Sequence, residues 1–363
     1  MPQPGTPPSP LGTTALVWSP DCLRHDPTAE IWVGVRTPGT EVAARAITIR
    51  DALLAAGAPL VEAGRHEDTV LDRVHDRALL DHLREVYGQW EQAGYPVDPG
   101  QDRVVPYVFP TQGLLAGLPL RSPTAVHARA GRFCYDTMTL VGPGTWEAAR
   151  GAVDAALTAV DEVGAGRRRL AYALCRPPGH HAGRDAFGGS CYLNNAAVAA
   201  EGLLAGHAKV AVVDIDAHHG NGTQALFYER ADVFYGSVHV DPGAGWFPHY
   251  VGFAEETGAG AGLGVNRNEP LAPGTGDDGW LEAVRRIAGT VAEQEATALV
   301  VSLGVDAAVD DPESPLQVTA EGYQQAGHIL AALGLPTVAV QEGGYHLPSL
   351  GALVVATLTG LAG

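Results

Sequence analysis

The sequence predicts an α/β protein whose central parallel sheet is covered by helices on both faces. Three observations lead to this fold class: short apolar runs, helix-like stretches between them, and reactive polar residues directly after the runs. Strands that are apolar throughout, without polar alternation, are typical of parallel sheets buried on both sides. One domain spanning residues 1–363, with one inserted loop, accounts for the whole chain.

The elements follow in chain order. Residues 1–12 are rich in Pro and are expected to be flexible. Leu and Val recur every three or four residues over 40–56 and 68–92, which predicts helices. Residues 93–131 are dense in Pro and Gly and predict a long irregular loop, of the kind that is usually functional. The remaining predicted strands are 170–175, 210–215, 233–240, 298–305 and 337–341, and the remaining predicted helices are 145–163, 193–206, 278–295, 319–333 and 347–360.

Composition excludes several classes of function. The formal charge of −18 repels phosphate backbones and anionic lipid, so we expect neither nucleic-acid nor membrane binding. No apolar run approaches the roughly 18 residues of a membrane span. The first residues lack the pattern of a signal peptide, which makes the cytoplasm the expected location. The four Cys residues show no paired spacing that would indicate a zinc ribbon or a disulfide framework.

Reactive side chains follow five of the predicted strands, and three of these side chains suit a metal ion. Asp216 and His218 follow the 210–215 strand, while Asp306 follows the 298–305 strand. Ligands in open α/β sheets bind at the carboxyl ends of the strands, where these residues are expected to meet. One imidazole and two carboxylates around an open position are typical of a catalytic Zn²⁺ or Fe²⁺.

A hydrolytic metal site also needs groups that move protons and stabilise charge. The adjacent His180 and His181 are candidates for the general acid–base, and their roles should differ because both are not easily protonated together. Asp214 and Asn221 are placed to hold one imidazole each. Tyr345 follows two glycines, and its hydroxyl is a candidate donor to an oxyanion.

Four segments together make a family recognisable. The chain resembles the histone deacetylase superfamily, and most of all its bacterial acetylpolyamine amidohydrolase branch. The resemblance implies an arginase–deacetylase domain with a parallel sheet of roughly eight strands. The segments are RPPGHHAGRDAFGG (176–189), DIDAHHGNGT (214–223), LGVDAAVDDP (303–312) and QEGGYH (341–346).

The resemblance implies a role for each site residue. Asp216, His218 and Asp306 match the family's metal ligands, for Zn²⁺ with Fe²⁺ as an alternative. His181 matches the general acid–base and His180 its electrostatic partner, with Asp214 and Asn221 behind them, and Tyr345 matches the transition-state tyrosine. The residues that match a potassium site are Asp214, Asp216, His218, Ser237 and Val238. The residues that match substrate contacts are Gly189, Ser190 and Phe247 along a tunnel and Asp136 at its rim.

Two departures bear on the substrate. Ser190 stands where family members usually carry an aromatic residue, which predicts a wider tunnel and a bulkier or more polar substrate than acetyl-lysine. The 93–131 loop matches the segment through which the polyamine branch dimerises and narrows its entrance, so we expect a homodimer. That branch uses acidic residues there, whereas 104–131 contains no Asp or Glu and has Arg121 and Arg129, with Arg132 adjacent. A neutral, aromatic or anionic substrate therefore stays open.

The expected function is a zinc-dependent deacetylase that hydrolyses a small acylated amine, such as an acetylpolyamine, to a carboxylate and a free amine. A protein acetyl-lysine deacetylase of the histone type is the alternative. An arginase-like enzyme with two metal ions is disfavoured because Gly220 and Ala308 stand where further carboxylates would be required. A non-catalytic binding protein is disfavoured because no ligand, His or Tyr of the motifs is missing.

Overall fold

The computed structural model describes residues 10–95 and 103–363. The predictions for residues 1–9 and for 96–102 of the inserted loop lie outside the described residues. Just after the first of these gaps, Leu11 is fully buried and packs into the core.

A parallel sheet of eight strands forms the centre of the described chain, which confirms the predicted fold class. The strands of this sheet run in the spatial order β4-β1-β5-β10-β9-β6-β7-β8, and β2 and β3 form a separate antiparallel hairpin. The strands are β1 Ala15–Trp18, β2 Glu30–Trp32, β3 Val35–Thr37, β4 Leu60–Glu62, β5 Leu170–Ala173, β6 Val210–Asp214, β7 Val233–Val240, β8 Asn266–Leu271, β9 Ala298–Leu303 and β10 Thr337–Gln341.

Helices cover both faces of this sheet. Alternate residues of one strand point to opposite faces, so Val210 and Val212 of β6 enter one apolar core while Ala211 and Val213 enter the other. The helices are α1 Ala44–Ala55, α2 Leu71–Val74, α3 Arg77–Ala93, α4 Gln112–Leu115, α5 Val126–Phe133, α6 Thr145–Gly164, α7 Asn195–Leu203, α8 Asn221–Phe227, α9 Asp277–Glu293, α10 Ala320–Ala331 and α11 Leu347–Ala362. None of the helices in the described chain is long and apolar enough to cross a membrane.

The structure differs from the predicted elements at several helices and strands. The helix predicted over 68–92 is two helices, α2 and α3, because His75 is extended between them. The prediction of a wholly irregular 93–131 loop is wrong for α4 and α5. Strands β1 and β4, of four and three residues, were not predicted. Edge strand β8 was not predicted because its sequence, NRNEPL, is mostly polar.

Candidate active site and metal centre

The ends of β6 and β9 bring the predicted metal ligands together. The two strands are parallel neighbours, and Asp214 at the end of β6 pairs in register with Ser302 of β9. The chain beyond each strand therefore emerges at the same edge, with Asp216 and His218 on one side and Asp306 on the other. Each of these three offers a ligand atom, and the three atoms lie within 4.8 Å of one another.

The donor set of this cluster fits a divalent metal ion. Asp216 and Asp306 are 1% and 0% exposed, so two carboxylates are held together out of water. Burial and the neighbouring Asp216 carboxylate raise the pKa of Asp306 to about 7, which is the expected consequence of confining two like charges. The His218 Nδ1 lies 3.0 Å from an Asp306 oxygen and 3.3 Å from an Asp216 oxygen. Two carboxylate oxygens and one imidazole nitrogen are ligands that Zn²⁺ and Fe²⁺ accept.

Backbone donors fix the orientation of both carboxylates. The Ala217 N–H donates to Asp306 Oδ1 at 2.7 Å, and the Gly343 N–H donates to Asp216 Oδ2 at 2.7 Å. Gly343 is required here, because a Cβ at this position would lie 2.3 Å from an Asp306 oxygen. The cluster is thus built from three loops that lock one another, and its geometry does not depend on a single segment.

The adjacent histidines each have a separate partner, as the sequence predicted. His180 Nδ1 lies 3.0 Å from Asp214 Oδ2, and His181 Nδ1 lies 2.7 Å from Asn221 Oδ1. The rings of His180 and His181 are 4.0 Å apart between centroids. Because the Asn221 oxygen can only accept, Nδ1 of His181 carries the hydrogen and its Nε2 keeps a free lone pair.

The surroundings of the two imidazoles shift their pKa values in opposite directions. Burial alone would lower the pKa of His180, but the Asp216 and Asp214 carboxylates raise it to about 10. Burial and the charges of His180 and His218 lower the pKa of His181 well below its ordinary value. These shifts favour a protonated, positively charged His180 and a neutral His181. The neutral imidazole is the form that accepts a proton.

A second buried group, Glu342, supports His180 from behind. One of its carboxylate oxygens accepts the N–H groups of Gly179 at 2.7 Å and His180 at 3.1 Å. The other accepts the Ser302 hydroxyl at 3.0 Å. Glu342 also lies near His180 and Cys191 in a compact group of potential ligands, but these three hydrogen bonds already occupy its oxygens.

Tyr345 lies beside the cluster on the loop that follows β10. Burial raises the pKa of its hydroxyl well above the ordinary value, so the hydroxyl remains a donor. Arg45 of α1 holds this loop through two backbone carbonyls. Its Nε donates to the carbonyl oxygen of Gly344 at 2.6 Å, and its Nη2 donates to the carbonyl oxygen of Glu342 at 2.7 Å. Its guanidinium also lies 4.6 Å from the centroid of the Tyr345 ring.

Arg45 belongs to a buried ion network that sequence reasoning missed. Glu41 lies 2.6 Å from Arg45 Nη1 and 3.0 Å from Arg176 Nη2, and all three side chains are at most 2% exposed. Arg176 in turn donates to the Cys22 carbonyl at 2.6 Å. The one available signal was the charged pair four residues apart, Glu41 and Arg45, within the predicted 40–56 helix.

A cavity of about 620 Å³ opens beside the metal-ligand cluster and the histidine pair. His181, His218 and Tyr345 contribute to its lining. Gly189, Ser190 and Phe247, the predicted tunnel residues, also line it. Phe247 packs edge-on against His181 with centroids 4.7 Å apart, while Ser190 presents only a hydroxymethyl group. The cavity therefore has an aromatic ring at position 247 and none at position 190.

Asp136, predicted at the rim of the tunnel, supports the wall from behind. Its Oδ2 accepts the Gly189 N–H at 2.6 Å, and its Oδ1 accepts the Met138 and Thr139 N–H groups at 2.9 and 2.8 Å. It is not among the residues described as lining the cavity. In this structure its carboxylate shapes the 188–190 turn, in which Gly189 and Ser190 both have positive φ.

The charged residues of the cavity wall are carboxylates. Glu30 of the β2–β3 hairpin and Glu313 of the loop after β9 line it, and among its described lining residues none is Lys or Arg. Burial and the charge of Glu313 raise the pKa of Glu30 to about 7. Both lie far outside 104–131, the range whose lack of Asp and Glu left the charge of the substrate open.

Arg129 of the inserted loop and the adjacent Arg132 are engaged elsewhere. Arg129 donates to the Gln89 side chain, and Arg132 pairs with Asp185 at 3.2 Å. Neither lines the cavity, so they provide no support for an anionic substrate.

The residues predicted to bind potassium lie at the neighbouring ends of β6 and β7. Asp214 and Ser237 are register partners on these strands. Ser237, Val238 and Asp216 are at most 1% exposed, and His218 follows on the same loop. The Asp214 carboxylate accepts the Tyr235 hydroxyl at 3.0 Å, and Ser237 lies 2.8 Å from His239 Nδ1.

Comparison with known proteins gives one consistent result. Residues 40–361 match the model of the histone deacetylase domain. The chain is 41% identical over 350 residues to an acetylpolyamine amidohydrolase of Mycoplana ramosa, covering 96% of this chain and 99% of that protein. It is 40% identical to acetylpolyamine amidohydrolase 1 of Pseudomonas aeruginosa over 352 residues, covering 96% and 98%.

The solved structures agree with these relatives. The crystal structure of an acetylpolyamine aminohydrolase from Burkholderia pseudomallei superposes with a TM-score of 0.88 at 40% sequence identity. The match covers 96% of this chain and 98% of that one.

Proposed function

The chain belongs to the histone deacetylase family and is an amidohydrolase, and on that premise we propose that it deacetylates an acetylated polyamine or a related small acylated amine. Relatives about 40% identical that are named for this activity support the proposal. The observation that carries it is the cavity itself, in which Glu30 and Glu313 supply negative charge next to aromatic residues. Such a lining favours an elongated substrate with a cationic end.

The proposed metal ligands are Asp216, His218 and Asp306, and the proposed ion is Zn²⁺, with Fe²⁺ as the alternative. An ion held there would polarise the amide carbonyl and lower the pKa of water toward about 7. The compact, buried donor set supports this assignment.

The protein's own residues transfer the protons and stabilise the charge that develops. His181 takes the proton of the attacking water at Nε2, because Asn221 holds the hydrogen on its Nδ1. The protonated His180, paired with Asp214, adds positive charge beside the developing oxyanion. Tyr345 donates a hydrogen bond from its hydroxyl to that oxyanion and keeps its proton. His181 finally returns the proton to the leaving amine, so the products are a carboxylate and a free amine.

Further parts of the proposal rest on the family resemblance. They are a structural potassium ion at Asp214, Asp216, His218, Ser237 and Val238, a homodimer formed through 93–131, and a cytoplasmic location. Exposed apolar residues on the described part of that loop, Leu114 and Leu118 among them, support the dimer.

Hydrolysis of matched small amides tests the function. N-acetylputrescine and N-butylacetamide have the same carbon chain, but only the first carries a terminal ammonium. One charge-assisted contact is worth about 1.5–3 kcal/mol, so kcat/KM should favour N-acetylputrescine by about 10- to 100-fold. Release of acetate is the measurement, with chelator treatment and Tyr345→Phe as controls.

Two results would contradict the proposal. Preference for acetyl-lysine peptides over acetylated diamines would favour the protein deacetylase instead. Hydrolysis that survives both chelation and Tyr345→Phe would overturn the mechanism.

A further inference from the structure

The loop that carries Tyr345 has little stiffness of its own. It begins Glu342-Gly343-Gly344, and Gly344 has a φ of +125°, which L side chains rarely adopt. Two successive glycines leave the backbone many conformations. A donor to an oxyanion, however, has to be placed within a fraction of an ångström of its productive position. Contacts from outside the loop must therefore fix Tyr345.

Asp311 makes such contacts with the backbone of Tyr345 itself. Its Oδ2 accepts the N–H of Tyr345 at 2.6 Å and the N–H of His346 at 3.1 Å. Its Oδ1 accepts the N–H of Glu313 at 3.1 Å. The side chain is 6% exposed, so these three donors replace the water that a carboxylate would otherwise bind.

The segment that carries Asp311 is anchored to the metal cluster. It follows β9 by way of Asp306, and the Asp311 N–H donates to the Ala308 oxygen at 3.0 Å. Val318 pairs with the same segment: its N–H donates to the Ala307 carbonyl at 3.0 Å, and its carbonyl accepts the Val309 N–H at 3.1 Å. The Asp311 carboxylate thus sits at a fixed offset from the Asp306 carboxylate.

Arg45 and Asp311 hold the same loop through opposite groups. Arg45 binds the carbonyls of Glu342 and Gly344, which precede the tyrosine. Asp311 binds the N–H groups of Tyr345 and His346, which are the tyrosine's own backbone and the residue after it. Only the second contact joins Tyr345 to the segment that delivers Asp306.

We infer that Asp311 is a positioning residue for catalysis, which sets the distance between the Tyr345 hydroxyl and the Asp306 end of the metal cluster. The inference rests on the proposed role of Tyr345 as the oxyanion donor. Asp311 does not line the cavity, so it acts through Tyr345 and not on the substrate. The same carboxylate also binds the backbone of Glu313, which joins the cavity wall to the catalytic loop.

Asp311→Asn tests this inference with little change of volume. The amide nitrogen cannot accept a hydrogen bond, so one side of the bridge between Glu313 and Tyr345 is lost. We expect kcat to fall about 10- to 100-fold, as for other groups that orient catalytic residues, with KM changed less than about 2-fold. Asp310→Asn is the matched control, because Asp310 is the neighbouring residue, is exposed, and loses the same charge. It should retain native kcat.

A double-mutant cycle separates positioning from a general structural effect. In a Tyr345→Phe background there is no hydroxyl left to position, so Asp311→Asn should lower kcat by less than about 2-fold further. A full 10- to 100-fold loss in that background would overturn the inference. An Asp311→Asn enzyme with native kcat, or one changed only in KM, would also overturn it.

Hydrogen–deuterium exchange supplies a readout that needs no substrate. The peptide containing Tyr345 and His346 should exchange faster in Asp311→Asn than in the native chain or in Asp310→Asn. Unchanged exchange would overturn the inference even if no acylated amine proved to be a substrate. Faster exchange in a chain that hydrolyses none of these amides would instead sustain the contact and refute the proposed function.

Discussion

Replacing Glu41 by Gln should destabilise the fold strongly, because it leaves two buried cations without their counterion. Glu41 is 1% exposed and is shared by Arg45 and Arg176, whose side chains are 2% and 1% exposed. Removing one partner of a buried ion pair costs about 3–5 kcal/mol. The Gln carbonyl still accepts one hydrogen bond, so we take the lower end, about 3 kcal/mol. In large domains, each kcal/mol lost from the free energy of unfolding lowers Tm by about 2–4 °C. We therefore expect the Tm of Glu41→Gln to fall by about 6–12 °C.

Thermal and urea unfolding of Glu41→Gln, measured beside Glu62→Gln, is the assay. Glu62 is exposed, so the control should stay within about 0.5 kcal/mol of the native chain. Burial alone would raise the pKa of Glu41, but Arg176 and Arg45 hold it below its usual value. The carboxylate is therefore ionised throughout pH 6–8. The difference in unfolding free energy between Glu41→Gln and Glu62→Gln should be constant over this range. A fall in Tm no larger than that of Glu62→Gln would refute the reasoning.

Three further predictions concern catalysis and substrate choice. Ser190→Phe adds a ring opposite Phe247, and such an aromatic contact is worth about 0.5–1.5 kcal/mol. This variant should raise kcat/KM for linear acetylpolyamines about 2- to 12-fold and lower it for branched amides. A lower kcat/KM on the linear substrates would contradict the idea that Ser190 widens the tunnel. Because burial and Glu313 raise the pKa of Glu30 to about 7, Glu30 gains its charge as pH rises from 6 to 8. The ratio of kcat/KM for N-acetylputrescine to that for N-butylacetamide should therefore increase over this range, and a flat ratio, matching that of Glu30→Gln, would exclude Glu30 from cation binding. Asn221→Ala frees Nδ1 of His181, so kcat should fall about 10- to 100-fold with KM little changed, whereas native kcat would show that Asn221 does not orient the base.

The buried strands from β5 onward were the part of the fold that sequence patterns could predict. Strands β7 and β10 match their predicted ranges, because continuous apolar runs of this length fit the centre of a parallel sheet. Edge strand β8 carries Asn, Arg and Glu and has no such signal. Helix α5, with sequence VHARAGRF, lies in a Pro- and Gly-rich region and has a glycine in its interior, so its amphipathic spacing was outweighed by local composition.

The candidate site divides in the same way. The predicted metal cluster, histidine pair and tyrosine follow strands, and the parallel sheet brings strand ends to one edge regardless of loop detail. Arg45 and Glu30 reach the site from other segments, and Asp311, which lies on the same segment as Asp306, binds backbone groups of the Tyr345 loop. Such pairings arise from packing in three dimensions, and residue types alone do not predict them.

Metal content measured by mass spectrometry tests the central claim most directly. We expect one divalent ion per native chain. We also expect an ion content close to zero in Asp306→Asn with an unchanged circular dichroism spectrum, since Asp306 is one of three groups within 4.8 Å that are assigned to the ion. Acetate release should vanish on exhaustive chelation and return on addition of Zn²⁺ or Fe²⁺. A native chain that stays fully active without bound metal, or an Asp306→Asn chain that retains one ion, would contradict the account.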